Sequence, residues 1–266
     1  MTVWLRSTLF NLAFYANGAL WVVLCAPAMF LPRRILLYLV RGWARSSLWL
    51  LRYLAGIRYE IRGTPHREGP LLVACKHQSV FETFALLPYF ADPAFILKRE
   101  LNWIPFFGWW ALRMRMIPVD RARGREAMRR MTAMASAEAA AGRQIIIFPE
   151  GTRRRPGAPA EYKQGVGHIY AESGVPCQPI ALNSGLYWPR RRWLRHPGTI
   201  LVEFLDPVPP GLAREAFMAR LEQTIEPASD RLLQEAAKAP SPPPLPETAR
   251  RRLAALEEEK EERGNG

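Results

Sequence analysis

A histidine and a glutamate follow an apolar run in the stretch VACKHQSVFETF, which starts at Val73. A buried strand that ends in polar side chains commonly ends where a ligand site opens. His77 can accept a proton near neutral pH, and the carboxylate of Glu82 can hold an imidazole. A regular helix would separate residues five apart by about 140°, so the two side chains meet only if His77 lies in the loop after the strand. The pattern predicts a general base with a carboxylate partner.

Glu82 also has a simpler interpretation. Ser79 lies three residues before it, and this spacing is typical of a capping box at the start of a helix. In that case Glu82 binds backbone N–H groups and His77 only ends the strand. Ser79 is itself close to a histidine, but no G-x-S-x-G turn surrounds it, which argues against a serine nucleophile. This stretch alone leaves the base and the cap both open.

A second apolar run breaks into polar residues at IIIFPEGTRRR. Gly151 allows a tight turn with exposed backbone N–H groups, and Arg153 offers a planar fork suited to phosphate. Two other predicted strands end in the same way, FILKRE with Lys98 and MIPVDR with Arg121. Strand ends in α/β sheets commonly meet at a ligand site, so this set suits a general base beside an anionic substrate.

Together these blocks resemble the 1-acyl-sn-glycerol-3-phosphate acyltransferase family, the lysophosphatidate acyltransferases of phospholipid synthesis. The family has four ordered blocks, H-x-x-x-x-D, one ending in I-D-R, F-P-E-G-T-R and V-P-x-x-P-V. They correspond here to HQSVFE (77–82), MIPVDR (116–121), FPEGTR (148–153) and VPCQPIAL (175–182). Glu82 stands where the family usually has aspartate, and the second block has Pro-Val-Asp-Arg where an apolar residue and Ile-Asp-Arg are usual.

The resemblance implies that His77 is the general base, that Glu82 orients it, and that an acceptor hydroxyl attacks an acyl thioester without a covalent acyl-enzyme. The implied substrate-binding residues are Lys98, Arg121, Glu150, Gly151, Thr152 and Arg153. The implied reaction moves an acyl chain from acyl-CoA or acyl carrier protein to the sn-2 hydroxyl of 1-acyl-sn-glycerol 3-phosphate, giving phosphatidic acid. The thioester is a co-substrate, and neither a cofactor nor a metal is expected.

The acceptor could instead be glycerol 3-phosphate, another lysophospholipid or a lyso-aminolipid. A different class of protein also fits part of the sequence, a non-catalytic membrane protein that binds anionic lipids through its arginines. Such a protein would need the basic helices but neither His77 nor the glycine turn at Gly151.

The elements that must position these residues are short β-rich runs alternating with helical stretches, which predicts an α/β fold with a mostly central sheet flanked by helices. The predicted strands are 58–63, 71–75, 94–98, 116–119, 144–148, 177–182 and 199–205. The predicted helices are 124–142, 163–174 and 211–238, the last of them broken or kinked at Pro227.

Two apolar helices are predicted before this body. The stretch 10–31 carries no charge, and as a helix it would span ~33 Å, about one hydrocarbon core. The next helix places Arg41, Arg45 and Arg52 on one face, which suits a membrane interface. A cleavable signal peptide or an ordinary core helix would explain the first stretch but not the second. We therefore expect residues 1–57 to attach the chain to a membrane.

The remaining boundaries follow from composition. Residues 58–239 form the predicted acyltransferase domain, and 240–266 form a proline-rich linker and a charged tail. The tail is either a solvated helix or disordered, and no chemistry is assigned to it. A net charge of +13 calls for an anionic partner, and beside a membrane anchor we expect anionic lipids rather than nucleic acid. Three scattered cysteines without metal-ligand spacing indicate reduced thiols. We expect attachment to the inner membrane of the cell, with the catalytic domain on the cytoplasmic side.

The aromatic run NWIPFFGWWALRM (102–114) is too short to cross a bilayer. It is either a core helix or a segment that covers an acyl-chain groove or presses into the lipid surface. The loop YWPRRRWLRHPG (187–198) interleaves aromatic and basic residues, which we interpret as a contact with lipid headgroups.

Overall fold

The computed structural model describes residues 2–104, 107–120 and 124–264. Its strands are β1 (Ile57–Arg62), β2 (Leu71–Cys75), β3 (Pro93–Lys98), β4 (Ile117–Val119), β5 (Gln144–Ile147), β6 (Cys177–Leu182) and β7 (Gly198–Phe204). Its helices are α1 (Val3–Cys25), α2 (Arg33–Leu50), α3 (Phe81–Ala85), α4 (Phe107–Arg113), α5 (Gly124–Ala140), α6 (Gly165–Ser173), α7 (Ser184–Tyr187), α8 (Arg214–Ala237) and α9 (Glu247–Gly264). Short turns of other helix types lie at Pro27–Phe30, Leu51–Ala55, Leu87–Tyr89 and Arg99–Trp103.

The strands form one sheet in the order β1-β7-β6-β2-β5-β3-β4. From β6 to β4 the five neighbouring strands are parallel, whereas β7 pairs antiparallel with β6 and carries β1 beside it. The carboxyl ends of β2, β5, β3 and β4 therefore meet at one edge, where α/β sheets hold ligands. This confirms the predicted central sheet, and the seven predicted strands lie within about a residue of the observed ones.

Side chains of β2 alternate between two apolar layers, as the pleat requires. Val73 and Cys75 point to the layer that contains α3 and part of the α1–α2 hairpin, including Phe10 and Phe81. Leu72 and Ala74 point to the other layer, where residues of α5, α6 and α8 complete the core. Because both faces of the strand are covered, the polar residues that follow β2 emerge from a rigid support.

The N-terminal hairpin is anchored by aromatic and polar contacts. The ring of Phe10 meets that of Trp188 edge-on, with centroids 5.1 Å apart, and Asn17 Nδ2 donates to Ser47 Oγ at 3.1 Å. In contrast to this buried side, much of α1 is exposed, and by length and composition it is long and apolar enough to cross a membrane. Its exposed large side chains are Val3, Trp4, Leu5, Leu9, Leu12, Tyr15, Leu20, Val23 and Leu24.

The three arginines of the α2 segment do not share one role. Arg45 and Arg52 are exposed, as a membrane interface would need. Arg41 instead donates through Nη2 to the carbonyl oxygens of Phe90 at 2.5 Å and Ala91 at 2.8 Å. Its guanidinium therefore fixes the chain ahead of β3 rather than standing free.

The aromatic run after β3 is not a core helix. Trp103, Trp109 and Leu112 are largely exposed, and of α4 only Gly108 and Ala111 are buried. The described part of this run therefore presents an apolar surface outward.

Two expectations about the C-terminal third differ from the structure. Helix α8 continues through Pro227 without a break, because Ile225 and Ala228 on either side of it are buried in the core. The charged tail forms a helix, α9, as one of the two alternatives predicted, but this helix packs on the body instead of being fully solvated, because Ala249 in its first turn is wholly buried. The hydroxyl of Thr248 donates to the carbonyl of Pro156 at 2.7 Å, so this helix touches the loop that follows FPEGTR. Leu253 also packs against the core, and Arg252 pairs with Asp230 of α8 at 2.7 Å. Composition does not predict these contacts, because each depends on the position of one side chain. The division of the chain at 57 and 239 stays a prediction.

At the opposite edge of the sheet Arg143 is a buried charge, 2% exposed. It donates to the carboxylate of Glu138 at 2.8 Å and to the carbonyls of Arg115 and Met114, each at 3.0 Å. Asp92 lies 3.2 Å from its Nε. These contacts join the starts of β3 and β5 and the turn before β4.

We predict that Arg143→Met lowers the free energy of unfolding by about 3–5 kcal/mol, because the carbonyls of Met114 and Arg115 lose their buried donor. Glu138 also loses its buried partner and keeps only Arg115, which is more than half exposed. Thermal unfolding in a fixed detergent measures the change. Arg231→Ala is the matched control, since Arg231 pairs with Glu203 while more than half exposed, and it should cost no more than about 1 kcal/mol. Equal melting of Arg143→Met and the wild type would show that the buried pair contributes no net stability.

Candidate active site

The backbone and ring of His77 are fixed by the loop that follows β5. The N–H of His77 donates to Glu150 Oε2 at 3.0 Å, and its carbonyl accepts from the N–H of Arg154 at 2.8 Å. The imidazole stacks on the ring of Phe148 at a centroid distance of 4.0 Å and an angle of 15°. The FPEGTR block and the arginine that follows it therefore hold the histidine from three sides.

The carboxylate of Glu82 is wholly buried and lies within hydrogen-bonding distance of five donors. Its Oε1 lies 2.9 Å from His77 Nδ1 and accepts from the N–H groups of Gln78 at 2.6 Å and Ser79 at 2.8 Å. Its Oε2 accepts from the hydroxyls of Ser79 at 3.1 Å and Ser184 at 2.9 Å. Glu82 thus caps the chain before α3 and holds the imidazole at the same time, so the two interpretations of the sequence are compatible.

Burial alone would raise the pKa of Glu82. The hydrogen bond and charge of His77, together with the N–H of Ser79, outweigh burial and hold this pKa below its ordinary value. Glu82 is therefore an anion at neutral pH. An anionic acceptor at Nδ1 favours the tautomer with the proton on Nδ1, which leaves the lone pair of Nε2 available. The His77 side chain is 14% exposed.

Ser79 is not arranged as a nucleophile. It is wholly buried, its hydroxyl donates to Glu82 Oε2, and the same oxygen accepts from the N–H of Phe81 at 2.8 Å. Both contacts use the hydroxyl to shape the turn into α3.

Glu150 lies inside the protein rather than on the surface of the turn. It is 1% exposed, and its Oε1 lies 3.1 Å from Lys76 Nζ. Lys76 also binds both oxygens of Glu226, at 2.6 and 2.8 Å, and the hydroxyl of Tyr162 donates to Glu226 at 2.6 Å. Burial raises the pKa of Glu150, and Lys76 opposes that shift. In the structure, the carboxylate of Glu150 accepts the hydrogen bond from the N–H of His77.

Arg153 follows the tight turn at Gly151, where φ is +65°. Its carbonyl accepts from Arg190 Nη1 at 2.8 Å, and its guanidinium has no hydrogen bond or ion pair with any described residue. Burial and the nearby charge of Arg190 lower the pKa of Arg153, whereas Glu82 opposes this. An unpaired guanidinium close to the His–Glu pair is suited to bind an anion.

The other predicted substrate-binding residues do not form a cluster as compact as the His77–Glu82 pair and its partners. Thr152 is half-buried on the same turn as Gly151. Lys98 is exposed at the end of β3, the strand beside β5. Arg121 lies outside the described residues, so its predicted position is not tested. The roles assigned to this whole set stay predictions.

Sequence reasoning missed three residues that complete the site. Lys76 follows β2 directly and Ser184 lies two residues after β6. Their position just past a strand end was the signal by which they could have been found. Arg190 belongs to a basic loop that the sequence assigned to lipid headgroups. The position of Arg190 in the sequence does not predict its hydrogen bond to the carbonyl of Arg153.

Within residues 2–104, 107–120 and 124–264, no three His, Cys, Asp or Glu side chains come together as a metal site would require. Cys25, Cys75 and Cys177 are all buried and unpaired.

Comparison with known proteins places the chain among acyltransferases. The sequence model of the Acyltransferase family matches residues 57–183. The 1-acyl-sn-glycerol-3-phosphate acyltransferase of Pseudomonas aeruginosa is 38% identical over 202 residues, which cover 74% of this chain and 78% of that protein. The human 1-acyl-sn-glycerol-3-phosphate acyltransferase alpha is 32% identical over 214 residues, covering 75% of this chain and 72% of that protein.

A solved structure agrees on the fold. The crystal structure of the 1-acyl-sn-glycerophosphate (LPA) acyltransferase PlsC from Thermotoga maritima superposes with a TM-score of 0.73 at 23% identity, over 87% of this chain and 98% of that one. The residue blocks, the fold and these relatives lead to one conclusion: the chain is an enzyme of the 1-acyl-sn-glycerol-3-phosphate acyltransferase family.

Proposed function

We propose that the enzyme transfers an acyl chain from a thioester donor to the sn-2 hydroxyl of 1-acyl-sn-glycerol 3-phosphate, with His77 as general base and Glu82 as its orienting partner. The observation that carries the proposal is the 2.9 Å contact between His77 Nδ1 and a buried, anionic Glu82. Such a contact leaves Nε2 to accept a proton and stabilises the imidazolium that forms.

In the proposed step, the acceptor hydroxyl attacks the carbonyl carbon of the thioester while Nε2 of His77 removes its proton. A new C–O bond forms, the C–S bond breaks, and the imidazolium returns the proton to the leaving thiolate. Glu82 remains ionised throughout, because its pKa is already held low by its donors. The products are phosphatidic acid and a free thiol, and no cofactor or metal takes part.

We assign the acceptor phosphate to Arg153, with Lys98 and Arg121 as the further cations that the sequence predicts for it. Gly151 and Thr152 would lie along the glycerol. The donor is acyl-CoA or acyl carrier protein, whose thioesters present the same carbonyl to the base.

The proposed setting is the inner membrane, with the catalytic domain on the cytoplasmic side. The exposed apolar face of α1 and the outward side chains of Trp103 and Trp109 support attachment to lipid. Exposed Arg45 and Arg52 would meet anionic headgroups. We propose these lipids, and not nucleic acid, as the partners of the basic surface.

We predict that His77→Ala lowers kcat by about 10²–10⁴-fold, the usual contribution of a positioned general base. The assay follows thiol release from acyl-CoA with and without lysophosphatidate, and detects phosphatidic acid as the lipid product. His66→Ala is the matched control, because His66 is exposed and away from the pair, and it should keep wild-type turnover. Unreduced turnover in His77→Ala would remove His77 from the mechanism.

We predict that Glu82→Gln lowers kcat by about 10²-fold or more. The amide oxygen can still accept from His77 Nδ1 in place of Oε1, but the amide NH₂ cannot accept from the hydroxyls of Ser79 and Ser184 as Oε2 does. Because the negative charge is lost as well, the imidazolium is less favoured and the acid limb of kcat/KM should move to lower pH. Glu82→Asp keeps the charge and should lose less activity. An unmoved acid limb in Glu82→Gln would limit Glu82 to capping α3.

We predict that Leu12→Arg combined with Val23→Arg weakens membrane retention, because a charged side chain deep in a bilayer costs about 2.5–3.5 kcal/mol. Both residues are exposed on α1. The measurement is the fraction of protein that a high-salt wash releases from membranes. Leu212→Arg, on the loop before α8, is the control and should leave retention unchanged. Full retention of the double variant would argue that α1 does not enter the lipid.

A further inference from the structure

The loop between α7 and β7 carries arginines that the reaction, as described, does not use. We call residues 189–196 the arginine loop. Its backbone is fixed on both sides, since Trp188 N–H donates to the carbonyl of Ser184 at 2.8 Å and His196 N–H donates to that of Tyr187 at 2.9 Å. Ser184 in turn holds Glu82. The loop therefore starts from the same short helix that supports the catalytic pair.

Arg190 is half-buried beside the FPEGTR block. Its Nη1 donates to the carbonyl of Arg153 at 2.8 Å, which directs the guanidinium toward that residue. Its Nε is buried and has no partner in the parts of the chain that the structure describes. A buried donor without a partner is costly, and a ligand that accepts a hydrogen bond would remove the cost.

Arg191 has a strained backbone. Its φ is +56°, a left-handed conformation that is uncommon for residues other than glycine, and its side chain is exposed. Strained backbone of this kind clusters at ligand sites, where neighbouring structure enforces it. Burial and the charges of Arg190 and Arg191 lower the pKa of Arg153, so both of these arginines lie within electrostatic range of its guanidinium.

We propose that Arg190 and Arg191 join Arg153 to bind the terminal phosphate monoester of the acceptor, and that this trio makes the enzyme prefer monoester over phosphodiester lysophospholipids. The inference rests on the proposed function, which it deepens. A phosphate monoester carries about −1.5 to −2 charges at neutral pH and three free oxygens. Three guanidinium groups are enough to neutralise that charge and to donate to all three oxygens, whereas a phosphodiester offers one charge and only two free oxygens.

The acceptor is the better source of this phosphate than the donor. Arg153 lies one residue before Arg154, whose N–H is bound to the carbonyl of His77 at 2.8 Å. Only a short glycerol segment separates the reacting hydroxyl from the acceptor phosphate, so that phosphate must lie close to the base. On coenzyme A a long pantetheine arm separates the thioester from the phosphates, which can therefore bind elsewhere.

The first test compares Arg190→Gln, Arg191→Gln and Arg191→Gly in full-length enzyme. Each loss of a guanidinium should raise KM for lysophosphatidate by about tenfold, with KM for acyl-CoA unchanged within about twofold. Selectivity for lysophosphatidate over lysophosphatidylglycerol should fall in parallel. Arg191→Gly relieves the positive φ but loses the charge, so it should match Arg191→Gln. Arg192→Gln, an exposed neighbour on the same loop, should behave as wild type.

The second test measures binding without turnover. In the His77→Ala background, lysophosphatidate in detergent micelles should bind more weakly after Arg190→Gln or Arg191→Gln, whereas lysophosphatidylglycerol should bind as before. This binding measurement separates the proposed function from the phosphate assignment. Turnover by His77→Ala would refute His77 as the general base, but the effect of the arginine variants on binding could still be measured.

Unchanged lysophosphatidate binding and KM in both arginine variants would overturn the assignment. A rise confined to KM for acyl-CoA would also overturn the assignment, and would indicate that the arginine loop binds the phosphates of the donor. Equal loss for the monoester and the diester would refute the claimed selectivity.

Discussion

The contact between His77 and the buried carboxylate of Glu82 is the constraint on which the rest of this site depends. A carboxylate without access to water must be surrounded by donors, since an unpaired buried charge is far too costly to keep. Its donors come from the loop after β2 and from α7, and it lies itself on α3. These segments are held in place because they meet at the same buried anion. Glutamate also reaches back from α3 to the loop with one methylene more than the aspartate usual in the family.

The residues that hold His77 in position extend beyond the part of the chain that matches the Acyltransferase family. Glu150 holds the N–H of His77, Lys76 pairs with Glu150, and Glu226 of α8 pairs with Lys76. Arg190 reaches the FPEGTR block from the arginine loop. Both Glu226 and Arg190 lie after residue 183, where the family match ends. The blocks therefore supply the His77–Glu82 pair, while later segments of this chain fix its position and the charge around it.

The sequence predicted the sheet and the His77–Glu82 pair because both depend on local patterns. Apolar runs that end in polar residues mark parallel strands, and such strands end at one edge. The use of Glu150 could not be predicted in this way. The motif suggests a residue facing substrate, but long-range packing buries the side chain against Lys76. The docking of α9 through Ala249 and the continuity of α8 at Pro227 were not predicted for the same reason, because tertiary contacts outweigh local propensity.

The N-terminal hairpin and the helix that carries Glu82 share one aromatic cluster, which would link the proposed attachment to the proposed chemistry. Phe14 of α1 lies 5.3 Å from Trp188 and 5.8 Å from Phe84, between ring centroids, and Phe84 belongs to the same short helix as Glu82. Tyr15 of α1 lies within electrostatic range of Arg153. If α1 lies in lipid as proposed, an acceptor at the headgroup level meets these cations with its acyl chain still among the lipids. Its phosphate would then be bound before its hydroxyl reaches the base, so the guanidinium groups would select the acceptor ahead of the chemical step.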